Sequence, residues 1–531
     1  MSLALRHPPR AASVPARSDV ISCVRFHRDA APDATACALF AEGRWRTLSR
    51  ARLWERIDYW ASVFTVALPA PTVILFCKRL DIDLVAAYLG AMAAGHIPAA
   101  VAHPSAKMSP GEFRRRIRHI QATVPVGAVF VDRDTASTFD GDLKTFTPST
   151  CVPGAFRVRP QSTSADALIQ FSSGSTGHQK GVVLRHDAIV AHMRAYAERL
   201  ELRSDDAIMT WLPLYHDMGL IAAYLMPLMC GIPFFQMDPF TWVAQPDRWL
   251  AAIESLGATI AFQPNFAYHL LARRAPRGGE VRLGGVRQWV NCSEPARGQS
   301  HERFLRAFPT VRRDAMHVCY ALAENTFAVS HTRPDEVGRD QGGVLSCGSP
   351  LRGVDLKVVD AVGRDVVSPT EGEIIVDSPV RFERFVDGRR PYAGYATGDL
   401  GFIGPEGDVY VSGRKNDLII CHGKNVHPQD VEFVASDVTG VHPGRVVAFG
   451  IDDPLTGSEE LFVIVERERG VEPGPLRLAV QRAVAGEVGL VPRRVEVAEL
   501  KTLVKTSSGK LSRARNRDLY RAQSLPLVGD R

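Results

Sequence analysis

Gln170-Phe-Ser-Ser-Gly-Ser-Thr-Gly-His-Gln-Lys-Gly-Val-Val-Leu-Arg-His186 decides how this chain is read, because hydroxyls, glycines and one lysine crowd into a short stretch between two apolar runs. Gly174 and Gly177 let backbone N–H groups approach phosphate oxygens, Ser172, Ser173, Ser175 and Thr176 add hydroxyl donors, and Lys180 brings a mobile positive charge. The stretch is not a Walker loop. The G-x-x-x-x-G-K-[ST] spacing fails here and fails again at Gly423-Lys424-Asn425 and Gly509-Lys510-Leu511. Ser/Gly-rich segments by themselves are more often flexible linkers, so the flanks carry the argument. Ala167-Leu-Ile-Gln-Phe171 predicts a buried strand leading in, and Val182-Val-Leu184 predicts a strand leading out. A loop of this composition between two strands is an anion site suited to a triphosphate.

Outward from that loop, 531 residues exceed what one hydrophobic core supports, so at least two domains are expected. An apolar share of 45% with 23% charged residues is ordinary for a globular enzyme, and a net charge of +6 is too mild to argue for a nucleic-acid partner. Nine cysteines without C-x-x-C pairs suggest free thiols in a reducing cytoplasm. Two apolar runs, residues 84–102 and 220–235, are interrupted by Gly95 and Pro98, and by Pro227, Gly231 and Pro233. Such punctuation predicts a buried helix turning into a strand, so no membrane segment is expected. Residues 1–18 lack the apolar core of a signal peptide and are expected to be a disordered leader.

From residue 19 to about 332, helical patterns alternate with short β-branched runs such as Thr72-Val-Ile-Leu-Phe76, which predicts layered α/β sheets with largely parallel strands. Between 344 and 413 the segments shorten and turn signals crowd together, which predicts a small antiparallel, barrel-like subdomain. Past 414–417, Arg445-Val-Val-Ala-Phe449, Leu461-Phe-Val-Ile-Val465, an amphipathic stretch near 476–488 and Arg494-Val-Glu-Val497 predict a compact α+β module.

Four more stretches follow in order: Tyr320-Ala-Leu-Ala-Glu324, Tyr395-Ala-Thr-Gly-Asp-Leu-Gly401, Gly413-Arg-Lys-Asn-Asp-Leu-Ile-Ile420, and Lys505-Thr-Ser-Ser-Gly-Lys-Leu-Ser-Arg513. With the opening loop they resemble the adenylate-forming superfamily of acyl-CoA synthetases, luciferases and peptide-synthetase adenylation domains, over about residues 19–521. Trp211-Leu-Pro-Leu-Tyr-His-Asp-Met-Gly-Leu220, Gln263-Pro-Asn-Phe-Ala-Tyr268, Asn291-Cys-Ser-Glu-Pro295 and His427-Pro-Gln-Asp430 look most like the fatty acyl-AMP ligase branch. The resemblance implies an N-terminal adenylation domain over 19–413, a hinge at 414–417 and a mobile C-terminal domain over 418–531. It also implies ATP-dependent conversion of a carboxylic acid to an acyl adenylate, then transfer to the phosphopantetheine thiol of an acyl carrier protein.

By the same resemblance, residues 172–181 hold the β- and γ-phosphates, Glu324 with Thr176 binds Mg2+, and Ser293, Glu294 and Tyr320 contact adenine. Asp399 accepts the ribose hydroxyls, Arg414 contacts ribose and phosphate, and His216 lies beside the acyl carboxylate. Lys510 bridges carboxylate and nucleotide during adenylation, and Asn416 is the pivot. The sequence departs from the pattern at Gln179 and Val504, where relatives carry proline, and at the clipped segment 382–388. Only residues 331–345 stand between Ser330 and Ser346-Cys-Gly348, so most of the branch's usual insertion is missing. That insertion is associated with refusal of CoA, so an acyl- or aryl-CoA synthetase stays open as an alternative. Asp217 keeps an amino-acid-adenylating enzyme open as well. A catalytically silent adenylate-binding protein is the remaining class, and it would have no need of Lys510, Glu324 and Asp399 together. The tail from Arg493 to Arg521 carries a local balance of +6, which would steer an acidic carrier protein or the CoA phosphate alike.

Overall fold

The computed structural model describes residues 11–104, 110–139, 143–148, 165–172, 180–275, 281–391, 394–421, 424–453, 458–505 and 510–528. Two large sheets dominate. The first has eight strands in the order Ala328–His331, Met316–Ala321, Gln288–Cys292, Ile260–Gln263, Ile208–Thr210, Phe234–Gln236, Thr35–Ala41 and Arg44–Ser49. Its two edge strands are antiparallel to their neighbours and the rest of the pairings are parallel. The second has seven strands, with Asp166–Ser172 and Ile97–Ala100 paired in parallel near its middle. Helices cover both sheets, so inner strands such as Val73–Cys77 and Gln288–Cys292 are buried along their whole length, and the first reads as an unbroken apolar run.

The expected strands around the opening loop are present as Asp166–Ser172 and Lys180–Arg185, an antiparallel hairpin in which Ser172 lies opposite Lys180. Residues 173–179, which include Ser173, Gly174, Ser175, Thr176 and Gly177, lie outside the described residues. The two apolar runs are the helix Ile82–Ala93 leading to the strand Ile97–Ala100, and the π-helix Met218–Leu225 continuing as Met226–Cys230 toward Phe234–Gln236. Among the described residues no helix is long and apolar enough to cross a membrane.

Between 355 and 414 the chain forms a four-stranded antiparallel sheet ordered Asp355–Val359, Gly372–Asp377, Tyr395–Ile403 and Val409–Arg414. From Ile419 onward the residues build cores of their own on the two faces of a three-stranded sheet, Val441–Asp453, Ser458–Arg467 and Arg494–Ala498. The leader needs correction. Ala12 and Val14 are buried, the Ala12 N–H donates to the Leu202 carbonyl at 2.8 Å, and Arg194 donates to the Pro15 and Arg17 carbonyls. Order therefore begins no later than residue 11, because two small apolar side chains find a groove and the backbone around them finds partners.

Candidate active site

The strands Ile208–Thr210, Ile260–Gln263, Gln288–Cys292 and Met316–Ala321 lie side by side in parallel and end on one edge of the sheet. Open α/β sheets bind ligands at the carboxyl ends of their strands, and here each strand delivers one piece of the site there. Thr210 leads to His216 and Asp217, Gln263 to the helix Asn265–Arg273, Cys292 to Ser293 and Glu294, and Ala321 to Glu324. The hairpin strand Asp166–Ser172 packs beside the turn Ala323–Asn325.

Three expected nucleotide contacts come together across two sheets. Asp399 and Arg414 face each other in the register of the four-stranded sheet, and the Arg414 Nε donates to Asp399 Oδ1 at 3.1 Å. The Tyr320 hydroxyl, from the eight-stranded sheet, donates to Asp399 Oδ2 at 2.8 Å. Burial first, and then the neighbouring Asp399 charge, raise the Tyr320 phenol well above its ordinary pKa, so it remains a donor. Asp399 in turn raises the Arg414 guanidinium. Asp399 is 5% exposed, and its carboxylate is held from both sides.

Glu324 is also buried, and the Tyr395 hydroxyl donates to its Oε1 at 3.2 Å. The turn behind it is strained: Thr326 has φ +64° and ψ −52°, and the Phe327 N–H bonds back to the Asn325 carbonyl at 2.7 Å, closing a three-residue γ-turn. An edge-to-face pair of Tyr395 with Phe382 and a tilted pair of Phe382 with Phe385 run from there to Lys180, whose ammonium lies 5.9 Å from the Phe385 ring centre. Tyr395 has no role in the motif reading although it opens the quoted stretch; only the fold reveals its partner.

On the other flank Lys510 reaches over from the carboxyl-terminal part and donates to the Ser293 carbonyl. Ser293 itself has φ +75°, a region that costs a residue with a Cβ, and this turns its carbonyl toward the lysine. Burial lowers the Lys510 pKa, while the Glu294 and Asp217 carboxylates oppose that shift. Glu294 accepts the Phe266 N–H at 3.1 Å and so caps the helix Asn265–Arg273. It thus serves the local structure and the lysine's electrostatics together. His216 and Asp217 form a pair, Nδ1 to Oδ1 at 2.6 Å, and the Met218 N–H donates to the same carboxylate oxygen at 2.8 Å. Burial alone would raise the Asp217 carboxyl, but His216, the Met218 amide and Lys510 outweigh it and the pKa falls. Gly219 allows this turn to fold tightly, since a Cβ there would meet the Pro213 carbonyl oxygen at 2.2 Å.

Asn416 sits in the short turn Lys415–Asp417. Lys415 on one side pairs with Glu373 of the four-stranded sheet at 2.8 Å, and Asp417 on the other pairs with Arg513 at 2.7 Å. Arg513, the last residue of the Lys505–Arg513 stretch, also holds Glu432. The basic tail is therefore less of a free rim than its composition suggests. Mg2+ fits the buried, oxygen-only Glu324 carboxylate; Thr176, its expected partner, lies outside the described residues.

The sequence signature of the AMP-binding enzyme family matches residues 26–384. The medium-chain-fatty-acid–[acyl-carrier-protein] ligase JamA of Moorena producens is 28% identical over 498 residues, covering 82% of this chain and 83% of JamA. The long-chain-fatty-acid–AMP ligase FadD32 of Mycolicibacterium smegmatis is 28% identical over 567 residues, with 87% and 86% covered. Among solved structures, one from work on the fatty acyl-adenylate ligases of E. coli and L. pneumophila overlays with TM-score 0.85 at 22% identity, covering 97% of this chain and 99% of its own. That last likeness is one of fold.

Proposed function

The chain belongs to the AMP-binding enzyme family, in its fatty acyl-AMP ligase branch, and we propose that it activates a fatty acid with ATP and passes the acyl group to the phosphopantetheine thiol of an acyl carrier protein. In the first half-reaction a carboxylate oxygen attacks the α-phosphorus and the bond to pyrophosphate breaks. In the second, the thiol sulfur attacks the acyl carbonyl, AMP leaves, and the thiol proton passes to solvent. Little covalent work falls to the protein, so alignment and charge placement carry the catalysis.

Lys510 is assigned the bridge between substrate carboxylate and α-phosphate, since its ammonium stands beside Ser293, Glu294 and Asp217 at the strand edge. That reach of one lysine from the carboxyl-terminal part into the site is the observation that carries the reading. Asp399, with Tyr320 and Arg414 fixing its two oxygens, is assigned the ribose hydroxyls. Ser293 and Glu294 with Tyr320 border the adenine, and Ser172 to Gly177 with Lys180 hold the outer phosphates. Glu324 and Thr176 would hold Mg2+, which when bound neutralises charge on the phosphate oxygens. The His216–Asp217 pair sets the charge beside the acyl carboxylate. Asn416 lies between one residue tied to Glu373 and another tied to Arg513, which suits a pivot between a large domain and a mobile C-terminal one. A reducing cytoplasm suits the free thiols, of which eight are described and buried.

A CoA synthetase is the second reading, favoured by the short segment 331–345 in place of the branch's insertion. Purified protein with ATP, Mg2+ and a panel of carboxylic acids tests the first half-reaction by mass spectrometry. An acyl adenylate with a fatty acid is the expected product; ATP stabilisation without any AMP or adenylate would leave a silent binder instead.

A further inference from the structure

We propose that Arg297 and Asp430 are positioning residues that seat Lys510 for adenylate formation and play no part in the transfer that follows. The inference rests on the proposed role of Lys510. It starts from two motifs that the nucleotide contacts leave partly unexplained, Asn291–Pro295, which ends two residues before Arg297, and His427–Asp430. Arg297 stands four residues beyond Ser293, and its guanidinium pairs with Asp430 in the first turn of the helix Pro428–Ser436. The Arg297 side chain is 12% exposed, and its backbone N–H donates to Asn265 Oδ1 at 3.3 Å. Asn265 Oδ1 also accepts from Asn291 at 3.0 Å, so Arg297 is fixed to the strand edge before the carboxyl-terminal part arrives.

The helix that carries Asp430 also carries Glu432, which binds Arg513 through both nitrogens of its fork. Arg513 lies three residues past Lys510, and Lys510 donates to Ser293. The contacts close a ring: Ser293 to Arg297 along the chain, Arg297 to Asp430, Asp430 to Glu432 along the helix, Glu432 to Arg513, Arg513 to Lys510 along the chain, and Lys510 back to Ser293. Two more pairs cross the same boundary, Arg303 with Asp437 and Arg273 with Glu468 at 2.7 Å. In all three crossings the arginine belongs to the large part and the carboxylate to the carboxyl-terminal part. Each pair leaves its carboxylate open to solvent, and ion pairs screened in this way stabilise a fold little, so their effect is on orientation. Small displacements of a reacting group cost rate steeply, which makes a ring that fixes one lysine kinetically visible. Arg297–Asp430 is made in the arrangement with Lys510 in the site, so on this proposal losing it weakens that arrangement.

The test separates the half-reactions in the full-length protein. Adenylate formation is followed by pyrophosphate release, and transfer by supplying chemically prepared acyl adenylate with the acceptor thiol. Arg297→Ala and Asp430→Asn should each slow adenylate formation about tenfold at saturating ATP and acid, with the KM for ATP within about twofold and transfer unchanged. Asp430 is 41% exposed and asparagine keeps its shape, so that variant folds even where Arg297→Ala does not. The reversed pair Arg297→Asp with Asp430→Arg should recover most of the lost rate. Parallel loss of both half-reactions, full adenylation in both single variants, or a reversed pair no better than either overturns the proposal. Wild-type protein that makes no adenylate from any acid refutes the function on which it rests, and that result is read first.

Discussion

Replacing Asp399 by asparagine removes one negative charge and little volume from a site that is 5% exposed. Its carboxylate accepts from the Tyr320 hydroxyl at 2.8 Å and from Arg414 at 3.1 Å, and it is assigned the ribose hydroxyls as well. Hydrogen bonds to a charged group are worth roughly 1.5–3 kcal/mol each, and a neutral amide keeps part of the Tyr320 bond while leaving the Arg414 charge without its counter-ion. A net loss of about 2–3 kcal/mol in nucleotide binding corresponds to a fall of roughly 30- to 150-fold in kcat/KM for ATP. Tyr320→Phe removes one donor to that charged carboxylate and should cost about 1.5 kcal/mol, roughly tenfold. The assay is continuous pyrophosphate release across an ATP titration at fixed acid, with thermal midpoints recorded alongside. Asp399→Asn within about threefold of wild type, at unchanged thermal midpoint, would refute the placement of the ribose on this carboxylate.

Lys510→Ala should lower adenylate formation by about 10²–10³-fold, the scale of removing one preorganised charge contact, while transfer from supplied acyl adenylate survives; equal loss in both steps contradicts the assignment. Burial lowers the pKa of His192 and of His301 to about 3, so both stay neutral in the folded chain, where His192 accepts the Ala328 N–H. The unfolded chain binds those protons first, so the stability they contribute is complete above about pH 6.5 and is lost as pH falls toward 3. Each costs about 2 kcal/mol by pH 5, and His301→Gln should flatten the fall in thermal midpoint between pH 7 and 5, whereas a midpoint independent of pH there contradicts it. Gly219→Ala drives a Cβ to 2.2 Å from the Pro213 carbonyl oxygen, so the thermal midpoint and adenylate formation should drop together, with about 1–3 kcal/mol of stability lost to overpacking; a variant of wild-type stability would show that the turn carrying His216 relaxes freely.

Local chemistry made much of the fold legible. The stretch Pro246–Leu256 is helical within the region where helical patterns alternate with β-branched runs, because Pro246 starts it with a fixed φ and Gly257 ends it at φ +69°. The strands around the loop followed from apolar runs bounded by polar residues. The run 220–235 was legible as a buried helix turning into a strand, but the π form of Met218–Leu225 was not, since an all-apolar run has no period to read. Residues 11–14 were missed because two buried side chains are too few to make a pattern.

The site divides in the same way. Motifs named Glu324, Asp399, Arg414 and Lys510, because residue type and spacing carry their chemistry. Their partners were invisible: Lys510 and Ser293 stand 217 positions apart, Arg297 and Asp430 133, and Tyr395 and Glu324 71. In each pair one residue follows a strand that ends on the shared edge of the eight-stranded sheet, and the other comes from the four-stranded sheet or from the carboxyl-terminal part.

On the proposed function, a fatty acyl adenylate made here goes to a carrier-bound thiol. The direct measurement supplies the protein with ATP, Mg2+ and a fatty acid, then offers CoA and a phosphopantetheinylated carrier protein in separate reactions, and follows all acyl species by mass spectrometry. The expected adenylate persists with CoA and disappears onto the carrier. Acyl-CoA formed at the same rate as the adenylate, with the carrier left unloaded, would contradict it.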